Sequence, residues 1–175
     1  MAKIIRNLFT ELYGIPSWNV KKGHGSFLTF EFGDPSIDIG KIYEASQPFG
    51  FKYQCRPAYV HGAWHLWIYM CEWNILWKDQ EICESESDDL TIHRACGFLN
   101  GQALESVTVK ADGATHFNFD LDGHLKTVPY SDSEPENTWI LFCPDKRIFS
   151  LRSDRYYSIE QNDEDSSGEV YLELK

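Results

Sequence analysis

Residues Trp64 to Trp77 read Trp-His-Leu-Trp-Ile-Tyr-Met-Cys-Glu-Trp-Asn-Ile-Leu-Trp and hold four of the chain's six tryptophans. Aromatic and β-branched residues at this density favour a pleated, buried strand. With period two, the odd positions are His65, Trp67, Tyr69, Cys71, Trp73, Ile75 and Trp77, and the even ones are Trp64, Leu66, Ile68, Met70, Glu72, Asn74 and Leu76. Through Met70 both sets are apolar or aromatic, as in a strand covered on two sides. The pattern predicts one central strand over about 63–71, emerging towards solvent at Glu72 and Asn74. Its odd face is open to two uses. It is either packed core or a groove in which His65, Trp67, Tyr69 and Trp73 line a ligand pocket.

The rest of the chain punctuates clearly. Ile5, Leu8, Phe9 and Leu12 lie at helical spacing and are followed by Gly14 and Pro16, which predicts a short N-terminal helix. Residues 26–32 alternate as a strand that Gly33-Asp34-Pro35 closes, and short strands fit near 37–42 and 54–60. Ile75 to Cys83 form a hairpin with a polar turn at Lys78-Asp79-Gln80. A helix is predicted over about 88–99, with Ser85 or Ser87 as its cap, Asp88 and Asp89 in its first turn, and Ile92, Ala95, Cys96 and Leu99 as its apolar stripe. Strands follow at 104–110, 115–121 and 125–130, separated by Asp112-Gly113 and Asp122-Gly123, and then at 139–143, 148–152 and 156–159. The fold class is therefore α+β, a mainly antiparallel sheet or meander with one clear helix and a short N-terminal one. The helix at 88–99 divides the N-terminal strands from the C-terminal meander, predicting two sheet halves around one core. A chain of 175 residues fits a single globular domain over 1–160 with an acidic tail over 161–175, where Val170, Leu172 and Leu174 alternate as an edge strand would.

Charge is distributed unevenly. The formal net charge is −11. Asp79, Glu81, Glu84, Glu86, Asp88 and Asp89 cluster with no base among them. Asp132, Glu134 and Glu136 form a second group, and the tail a third. The remainder is near balance. Such a surface repels nucleic acid and suits a basic protein partner, with Glu84, Glu86, Asp88 and Asp89 as its expected contacts. The longest uncharged apolar run, 63–71, is too short to span a bilayer. Met1 to Arg6 carry no leader signature. Five unpatterned cysteines read as reduced thiols, and a cytoplasmic location is expected.

Chemistry-bearing residues are sparse. His24 sits in Gly-His-Gly and fits an ordinary loop or an exposed acid–base group. His61 and His65 share a strand face about 13 Å apart, too far for one metal ion. His65 is expected at the core edge with a backbone partner. Cys71 as a nucleophile needs a histidine brought from elsewhere, such as His93, His116 or His124. Asp120-Leu121-Asp122-Gly123-His124 matches a fragment of a calcium loop but lacks the closing acid, so a hairpin turn accounts for it. There is no Walker loop, Gly-x-Gly-x-x-Gly, Gly-x-Ser-x-Gly or His-Glu-x-x-His pattern. No catalytic residue, metal ligand or cofactor is assigned.

Three stretches carry a resemblance: Gly23 to Gly33, Trp64 to Ile68, and Trp139 to Asp145 with Ser150 to Tyr156. Together they resemble a group of small uncharacterised bacterial proteins over the chain up to about Ile159. The C-terminal part also looks like the β-meander of small bacterial immunity-type proteins. The resemblance brings no activity, cofactor or site residue with it. The expectation is a non-enzymatic protein-interaction module with a basic partner, the immunity type being the form this likeness implies. The alternatives are a small-molecule binder with an aromatic pocket, and a hydrolase-like enzyme whose site is assembled from distant strands around His24 or Cys71.

Overall fold

A computed structural model describes residues 3–46, 50–130, 134–161 and 170–174. In chain order the elements are α1 (Lys3–Phe9), β1 (Ser17–Lys22), β2 (Leu28–Ile39), β3 (Tyr43–Ser46), β4 (Lys52–Cys55), β5 (Ala58–Ile68), β6 (Cys71–Trp77), β7 (Gln80–Glu84), α2 (Asp89–Leu99), β8 (Leu104–Val109), β9 (Thr115–Phe119), β10 (Gly123–Pro129), β11 (Asn137–Phe142), β12 (Arg147–Arg152), β13 (Tyr156–Gln161) and β14 (Leu172–Glu173). All strand pairs are antiparallel. A seven-stranded sheet runs β1-β2-β5-β11-β12-β13-β14, a five-stranded sheet runs β7-β6-β10-β9-β8, and β3-β4 is a separate hairpin. The α+β class, mainly antiparallel with two helices, is as the sequence predicts.

The two large sheets face each other across one core. Phe30 of β2 stacks on Phe119 of β9 at 6.2 Å, and Trp139 of β11 meets Phe117 of β9 edge-on at 6.1 Å. Helix α1 inserts Ile5 and Phe9, with Leu12 just beyond, and Phe9 packs edge-on against both Phe117 and Trp139. Helix α2 buries Ile92, Ala95, Cys96 and Leu99, the stripe read from the sequence.

The tryptophan stretch departs from its reading. It is not one strand. β5 ends at Ile68, the chain turns through Tyr69 and Met70, and β6 begins at Cys71 in the other sheet. The backbone N–H groups of Tyr69 and Met70 donate to Thr138 and Asn137, which hold this crossing against β11. The crossing also inverts the phase. In β5 the even residues Trp64, Leu66 and Ile68 are buried, whereas in β6 the odd residues Cys71, Trp73 and Ile75 are. Two strands buried on one face each, joined out of phase, imitate a single strand buried on both.

The C-terminal strands also divide differently from the prediction. β8 to β10 complete the five-stranded sheet, while β11 to β14 return to the seven-stranded one beside β5. The middle of the chain therefore builds one sheet and its two ends build the other. Residues Leu172–Glu173 pair with β13, and Leu174 is buried. The tail acids Asp163, Glu164, Asp165 and Glu169, and Asp132 of the second acidic group, lie outside the described residues.

Strand β2 does not close at Gly33-Asp34-Pro35. It passes through a bulge there and continues to Ile39, paired with β5. Gly33 adopts φ +73°, and a Cβ on the facing Gly62 would lie 2.4 Å from the Phe32 carbonyl oxygen, so both positions need glycine. Pro35 is tolerated because β1 pairs with β2 only up to Phe32, leaving its other edge free. Beyond the bulge, β2 and β5 run on as a two-stranded ribbon. Gly40 N–H bonds to the Pro57 carbonyl, and β3 and β4 extend the ribbon outward.

Candidate functional site

Two regions gather the residues singled out from the sequence. The first is the outer face of the seven-stranded sheet. Here His65 is directly opposite Glu31 on β2 and Phe142 on β11. Glu31 is only 3% exposed. Its carboxylate accepts the Gly62 N–H at 2.9 Å, and its other oxygen lies 2.7 Å from His65 Nδ1, an ion contact rather than an aligned hydrogen bond. The Trp67 indole N–H donates to His65 Nε2. Phe142 packs against both rings, with centroids 5.7 Å from His65 and 5.3 Å from Trp67. The partner of His65 is thus a buried side-chain carboxylate, not the backbone group expected. His65 accepts from Trp67 at Nε2 and lies beside the Glu31 carboxylate at Nδ1.

Tyr69 and Trp73 lie elsewhere. Tyr69 sits at the sheet crossing with its ring 4.3 Å from Phe27. Trp73 is 0% exposed in the core, and its indole N–H donates to the Ser26 carbonyl. The structure therefore brings His65 and Trp67 together but not with Trp73, because the two tryptophans belong to different sheets. Cys71 is fully buried, its thiol directed at the Thr138 carbonyl, and burial pushes its pKa up to about 12. A thiol held protonated and out of solvent is no nucleophile at neutral pH. His24 is an exposed residue of a tight turn whose carbonyl accepts the Phe27 N–H. Asp120 accepts the Ala103 N–H and Asp122 forms the hairpin turn at φ +60°, a structural use for both. No group of three or more metal-ligating side chains occurs among the described residues.

Thiol chemistry follows from this burial. Cys71, Cys83, Cys96 and Cys143 are all buried and burial raises each of their pKa values, whereas Cys55 on β4 is half-exposed. A thiol reagent at pH 8 is expected to label Cys55 alone in the native chain and all five cysteines in urea. Peptide mapping after a short pulse checks this, and rapid labelling of Cys71 would contradict its placement.

The second region joins α2 to the β6–β7 hairpin. Asp88 caps α2: its carboxylate accepts the N–H groups of Leu90 and Thr91 and the Thr91 hydroxyl. These hydrogen bonds, that from the Thr91 hydroxyl first, hold its carboxyl below the usual range. The cap is thus Asp88, not Ser85 or Ser87. Ser85 is buried with its N–H on the Trp73 carbonyl, and Ser87 accepts the Glu84 N–H to close the preceding turn. Between α2 and the hairpin opens a groove of about 320 Å³ lined by Trp77, Ile82, Thr91, Arg94, Ala95 and Phe98. Trp77 is 45% exposed, with Lys78 Nζ 4.9 Å from its ring centroid.

The four expected partner contacts, Glu84, Glu86, Asp88 and Asp89, are all exposed along one end of this region. Asp88 is committed to the helix cap, and Asp89 pairs with Lys22 of β1. Glu84 and Glu86 make no ion pair among the described residues. The lining residues Arg94, Phe98 and Ile82 were not singled out from the sequence. Thr91, Arg94 and Phe98 do recur at helical spacing beside the buried stripe, which marks a second, half-covered face.

Comparison with known proteins finds no match: no protein-family model, curated protein or solved structure resembles this chain.

Proposed function

We propose that the chain is a non-enzymatic protein-interaction module, of the immunity type in a bacterial cytoplasm, that binds a basic partner through the α2–hairpin groove. One observation carries this reading: an open groove with an exposed tryptophan lies between α2 and the hairpin, and the segment that joins them carries Glu84 and Glu86, which make no ion pair among the described residues. Trp77 and Phe98 supply the kind of aromatic anchors that dominate binding energy, and Glu84 and Glu86 supply charge that steers a basic approach. A basic amphipathic segment matches both features: apolar side chains in the groove and lysines or arginines along the acidic end. Net charge −11 disfavours nucleic acid as that partner. Free thiols without a disulfide suit a reducing compartment. Among the described residues no helix is long and apolar enough to cross a membrane.

The test uses a labelled amphipathic Leu/Lys helical peptide as the probe. Association should slow with added salt, and Glu84→Lys with Glu86→Lys should reduce the association rate by about tenfold. Trp77→Ala should instead speed dissociation. Asp88 is left intact because reversing it would also remove the cap of α2. An association rate indifferent to both salt and the charge reversals would overturn the acidic-rim reading.

A further inference from the structure

The ribbon beyond the Gly33–Gly62 bulge has an unusual surface. Among the described residues between Ile37 and Val60, eight large hydrophobic side chains are exposed, including Ile37 at 65% and Ile39 at 60%. They are not scattered. In the β2–β5 part, Ile37, Ile39, Ala58 and Val60 share one face, while Ser36, Asp38, Tyr59 and His61 share the other. In the β3–β4 part, Tyr43, Ala45, Tyr53 and Cys55 lie on one face, and Glu44 and Lys52 form an ion pair on the opposite one. Each part is therefore amphipathic, as if its apolar face were built to be covered.

Among the described residues, no strand pairs along either long edge of the ribbon. β1 pairs with β2 only at residues 28–32, and β11 pairs with β5 only at 65–68. A lone two-stranded ribbon is at best marginally stable in water, and apolar faces and open edges make it more demanding still.

We propose that the ribbon is a self-association arm, and that two copies of this chain pack through the apolar faces of their ribbons. Three observations favour a second copy over another partner. The five exposed large side chains on these faces, Ile37, Ile39, Tyr43, Tyr53 and Val60, present on the order of 550 Å², taking ~200 Å² for each and their exposed fractions, so two such faces bury about 1,100 Å², enough for a specific interface. The ribbon is also the electrically neutral part of an acidic chain: Asp34, Asp38 and Glu44 balance Lys41, Lys52 and Arg56. It therefore offers no field to draw a charged partner, and it meets its own copy without net repulsion. Finally, a ribbon of about 12 residues reaches up to ~40 Å at strand rise. Arms laid antiparallel keep the two acidic bodies several Debye lengths apart. A two-fold axis through the paired arms makes the contact self-complementary.

Sedimentation velocity on the full chain, from about 2 to about 200 µM, tests this. A reversible monomer–dimer equilibrium is expected. Ile37→Lys combined with Tyr53→Lys should raise its dissociation constant at least ~100-fold. Both side chains lie outside the core, so the near-ultraviolet circular dichroism of the buried tryptophans should be unchanged. Should the double variant unfold, amide exchange of Tyr43–Ser46 in the unaltered chain carries the test, slowing as concentration rises. A chain that stays monomeric throughout overturns the proposal, even if the ribbon then binds vesicles or another protein. A dimer that the arm substitutions do not weaken overturns it equally. Glu84→Lys with Glu86→Lys should leave the dimer intact, which separates failure here from failure of the groove reading.

Discussion

Trp139→Ala is expected to destabilise the chain by about 3–5 kcal/mol, the range for removing a fully buried large aromatic. Trp139 is 0% exposed and meets three structural units at once. Its ring stacks on Phe149 of β12 at 5.4 Å, within its own sheet. It packs edge-on against Phe9 of α1 at 5.5 Å and against Phe117 of the opposite sheet at 6.1 Å. Its indole N–H donates to Thr115 Oγ1 at 3.0 Å, a polar tie between the sheets inside an apolar core. Truncation opens a cavity where helix and both sheets converge, so no one element can relax into it. Trp139→Phe keeps a ring there and removes the tie, and about 2 kcal/mol is expected. Thr115→Val leaves the indole N–H buried without an acceptor, at a cost of about 1–3 kcal/mol. Urea unfolding measures all three. A loss below about 2 kcal/mol for Trp139→Ala would mean that the sheets do not depend on this junction. Against a total stability of roughly 5–15 kcal/mol, the expected loss is about a fifth of the whole or more.

Trp139 was legible in the sequence only as a member of a short strand, which illustrates what local pattern carries. Features determined within a few residues were readable. The stripe Ile92, Ala95, Cys96 and Leu99 marks its helix, because residues three and four apart share a face whatever lies opposite. Asp112-Gly113 and Asp122-Gly123 mark their turns because positive φ is required there, and Asp122 and Gly113 adopt it. The sheet crossing at Tyr69 and Met70 was not readable. It contains no glycine, proline, asparagine or aspartate, and the turn is held by carbonyls of Thr138 and Asn137, almost seventy residues away. β1 was also hidden. Only Ser17 and Val20 of it are buried, and Asn19 at φ +50° breaks the alternation that would have announced a strand.

The candidate sites divide along the same line. The acidic cluster was visible because its members are contiguous, but the apolar groove beside it joins Trp77 and Ile82 to Arg94 and Phe98 across a helix–hairpin contact that no spacing encodes. Asp88 was placed at the helix start correctly, yet its use as the cap rather than a free rim charge depends on the Thr91 geometry. The grouping of His65, Trp67, Tyr69 and Trp73 followed from a single period-two register. Once the register breaks at Met70, Trp73 moves to the other sheet. The ribbon was nearly illegible: Gly33-Asp34-Pro35 reads as a stop, and only the bulge with Gly62 lets the strand continue.

That bulge is where the second large effect is expected. Glu31→Ala should cost about 2–3 kcal/mol, the penalty for taking a charged acceptor away from the buried Gly62 N–H. The sequence gives no warning, since Glu31 alternates with Phe30 and Phe32 as a solvent-facing residue would. Yet it is 97% covered, and its two oxygens serve Gly62 N–H and His65 Nδ1. Alanine removes the acceptor of the buried Gly62 N–H and the carboxylate that lies beside His65 Nδ1. Glu31→Gln keeps the shape and one acceptor for Gly62 and gives up the charge, so a smaller loss, about 1–2 kcal/mol, is expected. Glu31→Leu with His65→Leu leaves both the Gly62 N–H and the Trp67 indole N–H without acceptors, so it should cost at least as much as Glu31→Ala. The energetic order is one readout, from urea unfolding. The second is local. Glu31 pins Gly62 at the point where sheet becomes ribbon, so amide exchange at residues 34–39 should quicken in Glu31→Ala more than in Trp139→Ala at matched stability. Equal exchange in the two variants would show that Glu31 only stabilises the body. Faster exchange confined to the ribbon would make this one carboxylate the anchor from which the arm extends.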